Sequence, residues 1–89
     1  MGMEYRLEPS SGEGVAWAAS LEDLLGTVPA MGELLEWRRS EARGLPDAFV
    51  RIAPEDLWFC ANTAEGEALL ARVHRILQRE FGMTDLTEL

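Results

Sequence analysis

Six apolar residues toward the end of the chain, Leu69, Leu70, Val73, Ile76, Leu77 and Phe81, recur three and four positions apart. At about 100° per residue they form one stripe roughly 140° wide, the mark of a helix that buries a single face. Asn62 or Thr63 supplies the cap and Gly82 the stop, so the spacing predicts a helix over residues 64–81. Such a helix must lie on an apolar surface, and the rest of an 89-residue chain has to build it.

That surface is legible as strands. Met3, Tyr5 and Leu7 alternate with charged residues and predict a half-buried strand over residues 3–8, broken by Pro9-Ser10-Ser11-Gly12. Two β-rich runs, 48–53 and 57–61, flank the turn residues Pro54-Glu55-Asp56 and predict a hairpin. Between them the reading is less simple. Residues 13–19 suit either a strand, through Val15, Trp17 and Ala19, or a helix whose face continues through Leu21, Leu24, Leu25 and Val28. A short helix over 21–26 follows, with Ser20 as its nearer cap and Gly26 as its stop. Pro29 then suits a first helical turn, and a second helix over 29–43 is expected to bury Met31, Leu34, Leu35 and Ala42. Residues 83–89 read as a loose tail, with Leu86 and Leu89 able to dock. The expected fold is one α+β domain: a small antiparallel sheet of three or four strands with two to three helices packed on one face.

The order strand, helix, turn, helix, strand, strand, helix resembles the winged helix-turn-helix family over roughly residues 3–70. LEDLLGTVPA resembles its first helix and turn, ELLEWRRSEARGL its recognition helix, and NTAEGEALL the entry to the helix after the wing. The resemblance implies a nucleic-acid-binding regulator. The residues depart from that role, because the start of the would-be recognition helix offers Gly32, Glu33 and Glu36, and the wing offers only Arg51.

Charge argues the same way. With 16 acids against 8 basic residues the chain carries −8, which a polyanion repels, so duplex DNA is not an expected partner. The imbalance is uneven. Residues 1–36 hold seven acids and one Arg, and residues 55–89 seven acids and three Arg, while residues 37–54 hold four Arg and two acids. All the basic residues are Arg, so Schiff-base and phosphate-loop lysine chemistry are excluded. One Cys and one His cannot form a zinc site, and no metal or other cofactor is expected. His74 reads as a boundary residue of the last helix and Cys60 as a small buried hydrophobe, in a strand taken to face the core. The acids Glu22, Asp23, Glu65 and Glu67 fall at helix starts, where solvated carboxylates complement the helix dipole. No membrane span is present, and the expected compartment is a reducing cytoplasm.

One patch exceeds what folding requires. Trp37, beside Arg38 and Arg39 and near Arg43, Glu33 and Glu36, has the composition of an interface hot spot. The expected function is therefore that of a small, acidic, non-catalytic regulatory or inhibitory protein of the immunity, antitoxin or phage-antagonist kind. It would act on a basic protein partner or assemble as a homodimer. The alternative is a winged-helix regulator.

Overall fold

The structure is a computed structural model that describes residues 2–39 and 44–89. In chain order it contains β1 (Met3–Pro9), α1 (Gly14–Ser20), α2 (Glu22–Leu25), β2 (Leu34–Trp37), β3 (Ala48–Ile52), β4 (Leu57–Ala61), α3 (Ala64–Phe81) and β5 (Thr84–Glu88). It is an α+β fold, and its sheet has five strands rather than three or four, in the order β2-β3-β4-β1-β5.

Every neighbouring pair is antiparallel. Consequently β1 and β3 run parallel on either side of β4 and are joined through the first helices. In the same way β4 and β5 run parallel on either side of β1 and are joined through α3. These are two interleaved split βαβ units, the ferredoxin-like order of elements, with β2 added at one edge.

Directly paired residues share a face of the sheet. The register Leu7↔Leu57↔Ile52 and Tyr5↔Phe59↔Val50↔Leu35 defines the covered face. Leu7, Val50, Ile52, Leu57 and Phe59 there are fully or almost fully buried against Trp17, Leu21, Leu25, Leu69, Val73 and Leu77 of the helical layer. The α3 stripe is thus the roof of the core, as its spacing requires.

α3 also explains the Thr-x-x-Gly-x-x-Leu-Leu run. The Thr63 hydroxyl accepts the Gly66 N–H at 3.1 Å, which caps the helix. A side chain at Gly66 would run into the Asp47 carbonyl, so only glycine lets the first turn sit against the entry to β3. At the other end the Ser10 and Ser11 hydroxyls donate to the Phe81 carbonyl at 3.1 and 2.7 Å. The break after β1 therefore also closes the C-terminal end of α3.

Of the two readings of residues 13–19 the helix is the one adopted, as α1 over Gly14–Ser20 with Glu13 extended before it, and the helix expected over 21–26 is α2 over Glu22–Leu25, with Leu21 at the break between the two pieces. Three expectations need correction. Ser20 caps neither piece; its hydroxyl donates to Glu80 at 2.9 Å. The helix expected over 29–43 is replaced by β2 at 34–37. Gly32 has φ +79°, a left-handed turn that no helix continues through, and its N–H donates to the Ile52 carbonyl at 2.9 Å. Leu34-Leu35-Glu36-Trp37 also carries a period of two, and the unpaired edge of β3 gives it a strand to pair with. Tertiary pairing overrides helical propensity here. Met31 and Leu34 are accordingly exposed rather than core residues, and Ala42 lies outside the described residues. Lastly, the supposed tail 83–89 contains β5, whose five residues pair with β1.

Candidate interface

The helices cover one face of the sheet. The opposite face is open, and its register sets two rows of side chains across the strands. One row runs Leu34, Arg51, Trp58, Arg6, Thr87; the next runs Glu36, Phe49, Cys60, Glu4. Leu34 is 51% exposed, and Phe49 and Trp58 are half-buried with no helix above them.

The aromatic centre is held from both sides. The Arg51 guanidinium lies over the Trp58 ring at 5.5 Å from its centroid, and the indole N–H donates to a Glu4 carboxylate oxygen at 3.0 Å. A cation on one face and an acceptor at the rim fix the ring in the middle of the surface. Arg6 pairs with Glu8 at 3.3 Å. Around the ring the acids Glu4, Glu8, Glu36 and Asp85 outnumber Arg6 and Arg51, so this face carries the acidic sign of the whole chain.

Cys60 belongs to this open face, not to the core. Phe59 takes the core position, and Cys60 alternates away from it. Its neighbours still cover it to 8% exposure, and its thiol donates to the Asn62 side-chain oxygen at 3.4 Å. Burial, with the Glu4 carboxylate nearby, pushes the thiol pKa up and disfavours the thiolate. His74 lies on α3, on the other side of the sheet, with Nε2 2.8 Å from the Thr84 carbonyl. The two residues are therefore separated by the sheet and do not form a nucleophile–base pair. Among the described residues no group of three His, Cys, Asp or Glu is placed to hold a metal ion. No helix among them is long and apolar enough to cross a membrane.

The patch expected around Trp37 is divided by the strand it sits on. Trp37 is on the covered face, half-buried against the core, whereas Glu36 points to the open face. Arg38 reaches Glu36 at 3.4 Å and donates to the Gly44 carbonyl at 2.7 Å. Arg39 is drawn elsewhere: its N–H donates to an Asp47 carboxylate oxygen at 2.9 Å, and its guanidinium meets Glu65 at 3.5 Å. Glu33 is exposed, and Arg43 and Glu41 lie outside the described residues.

Asp47 was not anticipated. Its carboxylate accepts the Thr63 hydroxyl at 2.6 Å as well as the Arg39 N–H, and these bonds hold its pKa below the usual carboxylate value. The signal was its position in Leu45-Pro46-Asp47, a turn residue just before a strand. The open-face set Leu34, Phe49, Arg51 and Trp58 was equally readable in part, since β3 and β4 each alternate. Which alternate faced outward depended on where the helices lay.

Among the described residues, two of the depressions in the surface bear on ligand binding. One, of about 180 Å³, lies beside Val28, Pro29 and Leu34, and is smaller than sites that enclose a small molecule. The other, of about 420 Å³, is an open groove between α3 and β5. Neither groups a nucleophile with a base. No known protein family matches the chain, and no curated protein or solved structure is detectably similar to it.

Proposed function

We propose that this chain is a small, acidic, non-catalytic regulatory or inhibitory protein that works by binding a basic protein partner. The uncovered sheet face is the contact surface. The observation that carries this reading is the Arg51–Trp58–Glu4 arrangement at the centre of that face, beside Phe49 and Leu34 and ringed by carboxylates. Tryptophan and arginine at the middle of a surface, held in place before binding, are what interface hot spots are made of. A rim of like charge selects an oppositely charged partner and speeds encounter. Immunity proteins, antitoxins and phage antagonists are the functional kinds this chemistry suits, and the −8 net charge supports each.

The test begins with a tagged chain in its own cells and is decided with the purified partner. Calorimetry should show Trp58→Ala weakening the complex by about 2 kcal/mol or more, as loss of a central aromatic anchor does. Association should also slow as salt rises. A Trp58→Ala protein that folds normally and binds with unchanged affinity would overturn the reading.

A further inference from the structure

Among the described residues β5 has one sheet neighbour, β1, and its other edge is open. The Leu89 N–H donates to the Glu4 carbonyl at 2.8 Å, and the Ser10 N–H to the Met83 carbonyl at 2.9 Å. Bonding alternates along an antiparallel pair, so Asp85 and Thr87 turn their main-chain groups toward β1. Thr84, Leu86 and Glu88 turn theirs outward. At Thr84 the groups are met by α3: His74 Nε2 lies 2.8 Å from its carbonyl, and its N–H donates to Gln78 at 3.4 Å. Beyond Thr84 the edge is protected only by its shortness and the charges of Asp85 and Glu88. It has no Pro and no Lys, and Leu86 within it is 41% exposed.

We propose that this edge pairs with a second copy of the same chain, β5 against β5, antiparallel about a two-fold axis at Leu86. Two independent features of the surface are complementary to themselves under that operation. The first is the strand. Leu86 meets the partner's Leu86, Thr84 meets the partner's Glu88, and Asp85 meets the partner's Thr87, so no carboxylate is set opposite another. The Thr84 carbonyl keeps His74 and has a second lone pair for the incoming N–H, while the Thr84 N–H exchanges its long 3.4 Å bond to Gln78 for the partner's Glu88 carbonyl.

The second feature is the α3 flank of the groove. Glu67, Ala71 and Arg75 follow one another at four-residue spacing along it. Thr84 is level with His74, and two strand residues further on is about 6.6 Å, or roughly four residues of helix. Leu86 is therefore level with Leu70 and Ala71, which line the groove with it. A two-fold axis there sets Ala71 toward the partner's Ala71, a small residue that lets the helices approach. It also sets Glu67 toward the partner's Arg75. Arg75 has no ion pair among the described residues, and Glu67 uses one oxygen on the Tyr5 hydroxyl at 2.9 Å and keeps the other. The dimer is isologous and closes on itself. Its sheet is continuous across both copies, and the two Trp58 faces stand on the same side, uncovered.

Sedimentation velocity with circular dichroism tests this. Wild-type protein should sediment at twice its 9.9 kDa chain mass at concentrations of roughly 100 µM. Leu86→Pro should give the monomer with an unchanged spectrum, because the lost N–H points away from β1 and proline is tolerated on such an edge. Arg75→Glu should weaken the dimer about tenfold, since the pair occurs twice, and adding Glu67→Arg should restore it to within about threefold. A wild-type protein that stays monomeric overturns the proposal, as does a dimer indifferent to a folded Leu86→Pro variant. If Leu86→Pro unfolds, the charge exchange decides alone, and failure of Glu67→Arg to rescue Arg75→Glu overturns it.

Discussion

Gly66 shows how much one atom decides here. Alanine is the better helix former by about 1 kcal/mol, so propensity alone would favour Gly66→Ala. The added methyl, however, would run into the Asp47 carbonyl, whose residue also accepts the Thr63 hydroxyl that orients the cap. Backbone cannot retreat as a flexible side chain can, and overpacking of this sort costs about 1–3 kcal/mol. Gly66→Ala should therefore lower the midpoint of chemical denaturation; a raised midpoint would show that α3 can shift away from β3 freely. Trp37 carries a related lesson. Because it packs half-buried against the core, its truncation would remove core contacts along with any surface role. Trp58, on the uncovered face, is the cleaner probe of binding.

Among the elements, α3 contributes most to the core. Leu69, Leu70, Val73 and Leu77 are each 4% exposed or less and face both strands of the central hairpin and β1. Leu77→Ala should cost about 2–5 kcal/mol, a large part of the margin of a small domain, read as a fall in thermal midpoint. Leu34→Ala on β2 serves as the control. Its side chain is 51% exposed on the open face, so its loss should change stability by no more than about 0.5 kcal/mol. Equal losses from the two substitutions would contradict the assignment of α3 as roof and β2 as edge. β2 and β5 are the two strands whose sequences read as something else, and both are edges. Edge strands have one neighbour and little burial, so they need only a weak local preference once a partner strand stands beside them.

For the whole molecule, charge and topology act together. The net charge of −8 opposes binding to a polyanion wherever the few arginines are placed. They are also dispersed: Arg51 stacks on Trp58, Arg6 pairs with Glu8, and Arg39 with Glu65. The segment likened to a recognition helix supplies strand β2 instead. Fluorescence anisotropy with duplex DNA near physiological salt should accordingly show no binding. Salt-sensitive micromolar binding would restore the nucleic-acid reading.

The sequence by itself determined the elements whose periodicity is long or doubly signalled. α3 was legible to its first and last residue, because a stripe repeated over five turns, a cap and a terminal glycine agree. The hairpin β3–β4 and strand β1 were legible because alternation and turn residues coincide. Composition likewise excluded lysine-dependent chemistry. Only the tertiary structure decided the rest. Leu34–Trp37 satisfies both periods, and it became a strand because β3 offered an unpaired edge while Gly32 turned the chain. β5 has little apolar pattern of its own and formed because β1 lay next to it. The candidate site followed the same rule: alternation put Phe49, Arg51, Trp58 and Cys60 on one face, but whether that face was core or surface depended on which side the helices packed. Local sequence fixes what a segment can be. Long-range pairing and burial choose among the options when two of them cost nearly the same.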